Sequence, residues 1–146
     1  MKFSNLKSLY NDLLNIGFTN EEIREFIENI GEEQEDFSID EIRVISKDYI
    51  GEVLENELSQ DPYILGCFND WFIAKHSDLS IDIVKALQEA DKYEVIGKHL
   101  IDNDNVEDLA SAYASADGYG DYFNSYDYRE EEIKVNDKWY HVFLNR

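Results

Sequence analysis

Glu132-Ile133-Lys134-Val135-Asn136-Asp137-Lys138-Trp139-Tyr140-His141-Val142-Phe143 is the stretch that decides the fold class. Polar and apolar residues alternate through Val135 and again from Lys138, the period of strands with one buried face. Between the two runs, Asn136-Asp137 supplies residues that tolerate the positive φ of a two-residue hairpin turn. The stretch predicts an antiparallel hairpin over 132–143, with His141 facing a cross-strand partner. A further strand is expected at 42–46, where Ile42-Arg43-Val44-Ile45-Ser46 is short and rich in β-branched residues.

Outside these runs the period becomes helical. Leu6, Leu9, Tyr10, Leu13 and Leu14 recur at helical spacing, and Gly17 stops that helix. Thr19 followed by Glu22 reads as a capping box that opens a second helix, with Ile23, Phe26, Ile27 and Ile30 on one face and Gly31 at its C′ position. Further helices are expected over 50–58, from Asp61-Pro62 through Phe72, from Ser80 to Ala90, over 93–101 and over 106–116, with a short helical segment at 121–127. The class is α+β, mostly helical with a small antiparallel sheet. Residues 1–31 read as an N-terminal helical hairpin and 37–146 as an α+β domain, continuous with the hairpin or parted from it at the acidic run 32–36.

The chain has 146 residues, 43% of them hydrophobic and 14% aromatic, which excludes the disorder that a net charge of −20 would otherwise imply. Its charge is concentrated. Residues 19–61 hold 15 Asp and Glu against Arg24, Arg43 and Lys47, and residues 102–132 hold 10 against Arg129 alone. Such an excess stores self-repulsion that folding does not require, and it points to a strongly basic partner. Long basic grooves belong mostly to proteins that bind nucleic acid. No apolar run approaches the roughly 20 residues of a membrane helix, and an anionic membrane surface would repel the chain. Cys67, the single cysteine, is expected to lie buried in an apolar helix, and a reducing cytoplasm is the expected setting.

Catalytic signals are sparse. His76, His99 and His141 have no second ligand at metal spacing, and His76 with Asp78 makes only a weak base-and-orienter pair. Asp102-Asn103-Asp104-Asn105 resembles the start of a calcium loop. Glu107 and Tyr113 stand where that loop needs Gly and Glu, so a solvated loop capping the next helix is the better reading. The expectation is a binding protein with no catalytic residues, no cofactor and no metal.

The expected partner-binding residues form two groups. In the first, Glu21, Glu25, Glu28 and Glu32 follow a 4, 3, 4 spacing opposite the apolar face of the second helix, and Glu33, Glu35 and Asp36 follow them. A carboxylate row at that pitch is comparable with a row of phosphates. The second group is Asp102, Asp104, Glu107, Asp108, Asp121, Asp127, Tyr128, Glu130, Glu131 and Glu132. Tyr119, Tyr122, Phe123 and Tyr126 fall at helical spacing and are expected to face the core, leaving Tyr128 as an exposed contact.

Tyr122, Phe123, Asn124, Tyr128, Arg129 and Glu130, followed by Tyr140 to Phe143, resemble the C-terminal element of the antirestriction protein A family, with Asn124 in place of an acid. The stretch, about the last 30 residues, is also similar to small acidic proteins of phages and prophages. The resemblance implies a mimic of double-stranded DNA, acting as an elongated homodimer. The expected function is then a phage or mobile-element inhibitor, of anti-CRISPR or antirestriction type, that blocks a Cas effector or restriction–modification enzyme in a bacterial host without itself binding nucleic acid. The alternative is an interaction adaptor binding through an apolar patch on 1–31 or on the Trp71/Phe72 helix.

Overall fold

A computed structural model describes residues 5–145; residues 1–4 of the expected hairpin and Arg146 lie outside the described residues. The chain has an α+β fold with the elements α1 (Leu6–Ile16), α2 (Asn20–Gly31), β1 (Asp36–Ile39), β2 (Ile42–Ser46), α3 (Ile50–Ser59), α4 (Pro62–Gly66), α5 (Asp70–Lys75), α6 (Ile81–Glu89), α7 (Tyr93–Asp102), α8 (Val106–Asp117), α9 (Gly120–Phe123), β3 (Glu131–Val135) and β4 (Lys138–Leu144). They form two compact units. One comprises the chain up to Ile50 and again from Asp117; the other is Gly51–Ala116.

The first unit is built on an antiparallel sheet of order β1-β2-β4-β3. The 132–143 hairpin turns at Asn136 and Asp137, with φ of 50° and 66°, and pairs Val135 with Lys138 across the turn. Strand 42–46 lies where the sequence places it and pairs with β4. β1 is an addition. Asp36-Phe37-Ser38-Ile39 alternates, but over four residues beside an acidic run that reads as loop. Its pairing with β2 through a turn at Asp40 makes it a strand. Side chains of Phe37, Ile39, Ile42, Val44, Ile133, Val135, Tyr140 and Val142 pack with Leu9, Leu13, Phe18, Ile23, Phe26 and Ile30 of the helical hairpin in one core.

Two local expectations change here. α2 runs through Gly31, and Glu33 takes the left-handed C′ position at φ 60°, with its N–H bonded to Ile30 O and that of Gln34 to Asn29 O. These are the paired bonds of a Schellman ending, reached without glycine. On α1, Leu9 and Leu13 are buried, whereas Leu6, Tyr10 and Leu14 are exposed. The core claims only one edge of that apolar stripe.

The second unit is helical. The helix expected from Pro62 to Phe72 is broken into α4 and α5. Gly66 and Gly97 mark a close crossing beside the break: a β-carbon at Gly66 would lie 1.9 Å from Tyr93 O, and one at Gly97 would lie 1.8 Å from Pro62 O. α4 and α7 therefore cross backbone to backbone, antiparallel, with each glycine facing the first turn of the other helix. The Gln88 amide donates to Gly66 O at 3.0 Å and Phe68 O at 2.8 Å, satisfying carbonyls that the interrupted helix leaves open. Cys67 falls at this break and is exposed rather than buried.

Candidate functional site: the carboxylate surface

The best-formed acidic surface is on α2. Thr19 and Glu22 complete the capping box, with Thr19 N–H donating to Glu22 Oε1 at 2.8 Å and Glu22 N–H to Thr19 Oγ1 at 3.2 Å. That cap, and the burial of Ile23, Phe26 and Ile30, fix which face α2 turns outward. Glu21, Glu25, Glu28 and Glu32 are exposed on that face. At about 100° per residue they fall within a strip of roughly 60°, and at about 1.5 Å per residue they span some 16 Å. No cation pairs with any of the four among the described residues. Arg24, also exposed, lies at the edge of the strip. Glu33, exposed in its left-handed turn, extends the row past the helix end.

Glu35 and Asp36 belong to a different environment. Both are half-buried. Glu35 accepts a hydrogen bond from Lys138 Nζ, which holds its carboxyl below the usual range. Asp36 takes Arg43 in a two-point fork, Nε to Oδ1 at 3.1 Å and Nη2 to Oδ2 at 2.8 Å, while the guanidinium also lies over the Phe123 ring at 5.1 Å. These charges are already neutralised within the sheet.

The second acidic group divides between the two units. Asp102, Asp104, Glu107 and Asp108 sit around the α7–α8 junction of the helical unit, all exposed. Asp104 occupies the left-handed end of α7. Asp108 accepts from His76 Nδ1 at 2.7 Å, and Asp78 is paired with His99 Nε2 at 2.6 Å, so the histidines brace neighbouring segments and His76 does not use Asp78. Among the described residues no group of three or more His, Cys, Asp or Glu is placed to hold a metal ion.

Asp121, Asp127, Tyr128, Glu130, Glu131 and Glu132 lie in the sheet unit. Asp121 is exposed at α9. Asp127 and Glu131 lie 4.0 and 3.9 Å from the Arg129 guanidinium. Glu132 is 3.6 Å from Lys47, and Glu130 Oε1 accepts the Tyr119 N–H at 3.2 Å. Tyr128 is exposed, as expected. Tyr126, expected in the core with Tyr119, Tyr122 and Phe123, is exposed as well. α9 ends at Phe123, and Asn124 turns extended at φ −107°, ψ 97°, so the helical spacing that would carry Tyr126 inward is lost.

His141 is 4% exposed, with Glu130 and Glu132 each 3.7 Å from one of its ring nitrogens and Phe143 stacked beside it. Burial pushes its imidazole below the usual value, against the opposing pull of Glu132 and Glu130 and with a smaller push from Lys47. A histidine whose folded value is depressed binds protons more readily when unfolded. Its contribution to stability is therefore full above the unfolded value of about 6.5 and is lost as pH falls through the window below it. The thermal midpoint is expected to fall on acidification through that window. His141→Gln should flatten the profile there, and an unchanged slope in the variant would assign the effect to other groups.

Counted by unit, the charge divides evenly. The Gly51–Ala116 unit carries 14 Asp and Glu against four Lys, and the sheet unit 19 against nine Lys and Arg, a net of −10 for each. The sheet unit's cations Arg43, Lys47, Arg129, Lys134 and Lys138 each have a carboxylate within 4.0 Å. The four carboxylates of the α2 row are among those that these pairs leave without a cation. Comparison of the chain with protein-family models, with curated proteins and with solved structures finds no match.

Proposed function

We propose that the chain is a non-enzymatic inhibitor that presents carboxylates where nucleic acid presents phosphates, and so occupies the groove of a basic nucleic-acid-binding protein. A Cas effector or a restriction–modification enzyme in a bacterial cytoplasm is a partner of that class. The observation that carries the reading is the exposed row Glu21, Glu25, Glu28 and Glu32, held by the capping box and free of cation partners among the described residues. Its mean axial spacing of about 5.5 Å compares with about 3.4 Å per phosphate along one strand of a duplex, so the row is roughly two-thirds as dense. An isolated exposed ion pair contributes at most about 1 kcal/mol, so affinity has to come from many carboxylates meeting one basic groove.

The test is mutual exclusion. Arg and Lys that bind phosphates cannot at once bind carboxylates, so preloading the target with DNA should slow association of the inhibitor. Rising salt should weaken both complexes. The inhibitor alone should not bind DNA or RNA. A stable ternary complex of target, DNA and inhibitor would overturn the proposal.

The adaptor reading also has an observation in its favour. Leu6, Tyr10 and Leu14 are 52, 39 and 41% exposed on α1, and Trp71 is 56% exposed on α5. An interface built on either patch should hardly respond to salt, whereas a carboxylate row should lose affinity steeply.

A further inference from the structure

The loop after α9 holds two large aromatic side chains out of the core on a backbone whose N–H groups from Ser125 to Arg129 all find acceptors. Asn124 is the organiser. Its side chain is 1% exposed; its Oδ1 accepts the N–H groups of Tyr126 at 3.1 Å and Asp127 at 3.2 Å, and its Nδ2 donates to Arg129 O at 2.8 Å. Its main-chain carbonyl accepts the Tyr128 N–H at 3.2 Å. The Ser125 N–H goes to Asn145 Oδ1 and that of Arg129 to Asp127 Oδ1. Every N–H from Ser125 to Arg129 is thus satisfied within the unit. An acid at position 124 could accept the first two bonds, but as a carboxylate it could not donate the third.

From this hydrogen-bonded loop Tyr126 and Tyr128 project 63 and 66% exposed. Tyr128 does so at φ 60°, a conformation that costs a non-glycine residue with a β-carbon. Folding alone favours glycine or asparagine there and a polar side chain at 126. Aromatic rings on a preorganised backbone are instead the usual source of binding energy at protein interfaces, because little chain entropy is lost when they engage. Asp127 stands between them in the chain, and its carboxylate and that of Glu131 lie 4.0 and 3.9 Å from the Arg129 guanidinium, beyond hydrogen-bond reach.

We infer that Tyr126 and Tyr128 form a stacking platform for arginine side chains of the partner. Guanidinium planes lie on the rings, drawn there by the net charge of −10 that the unit carries. Arginine fits this chemistry better than lysine: it is planar, less strongly hydrated and able to stack and fork at once. The inference rests on the groove reading above and adds which surface engages the partner and which residue type it selects.

The test uses the full chain with two probes, blocked nona-arginine and nona-lysine peptides of equal charge, titrated at fixed ionic strength. The wild type should bind the arginine peptide about five-fold more tightly or better. The variant Tyr126→Ala with Tyr128→Gly should bind both peptides alike, while its thermal midpoint is unchanged or raised, since glycine relieves the left-handed position. Glu25→Lys should weaken both peptides and leave the preference intact. A wild type without preference, or a variant that retains it, overturns the platform. Loss of the platform with DNA exclusion intact leaves the groove reading standing, whereas a ternary complex with the preference intact removes only the groove reading.

Discussion

The double variant Glu25→Lys with Glu32→Lys is expected to separate function from stability more sharply than any other change on this surface. In the native helix the successive pairs Glu21–Glu25, Glu25–Glu28 and Glu28–Glu32 are spaced i,i+4, i,i+3 and i,i+4, and each like-charge pair costs roughly 0.2–0.5 kcal/mol. The two substitutions make all three pairs opposite in sign, and the cation introduced at the second position also complements the negative end of the helix dipole. All four positions are exposed, so no core packing is disturbed. Stability should rise by about 1–2 kcal/mol, seen as a midpoint higher by a few degrees. Binding should move the other way. Two carboxylates that faced cations become two like charges, and affinity should fall about a hundred-fold or more, with a shallower dependence on salt. If affinity and its salt slope stay as they were while the midpoint rises, α2 is a solvated face and the partner docks elsewhere.

Gly97→Ala should produce the largest loss of stability. Its new methyl group would stand 1.8 Å from the carbonyl oxygen of Pro62 and 2.4 Å from the carbonyl carbon, both backbone atoms. No rotamer change can relieve that overlap, so α4 must retreat from α7 by more than an ångström. The retreat would loosen Leu65, Ile96 and Leu100, each fully buried, and the Tyr63–Tyr93 ring contact at 5.5 Å. Overpacking a well-filled site typically costs about 1–3 kcal/mol and sometimes more; with backbone as the obstacle, about 3 kcal/mol or above is expected. Gly66→Ala should behave alike, since its methyl would stand 1.9 Å from Tyr93 O. Gly31→Ala is the control: it has open space around its site, and alanine is the better helix former. Equal midpoints for Gly97→Ala and Gly31→Ala would mean that α4 and α7 do not cross as closely as described.

The carboxylate row was legible because everything that places it is local. A capping box needs only residues 19 and 22, and the side of α2 that faces out follows from the period of Ile23, Phe26 and Ile30. What could not be read was which acids would be neutralised. Glu35 and Asp36 continue the acidic run in sequence, yet Lys138 is 103 residues from Glu35, and β1, β2 and β4 must pair before these charges meet their cations. The same holds for the histidines, whose partners Asp108 and Asp78 lie 32 and 21 residues away.

Sequence by itself determined the elements whose signals fit within a few residues: the hairpin around Asn136-Asp137, the strand 42–46, the stop of α1 at Gly17 and the Ser80 cap of α6, where Ser80 Oγ accepts the Ile83 N–H. Turn chemistry and side-chain period act at that range and need no partner. Tertiary structure alone decided that β1 is a strand, that the helix after Pro62 breaks, that Cys67 lies outside, and that Tyr126 joins Tyr128 at the surface. Each of those outcomes is a competition between a weak local preference and contacts made by distant chain: β2 for Phe37 and Ile39, Tyr93 and Gln88 for the break at Gly66, Asn145 and Leu144 for the loop at 125–126. Where the local preference is worth only tenths of a kcal/mol per residue, a single buried hydrogen bond or a close backbone crossing is enough to reverse it.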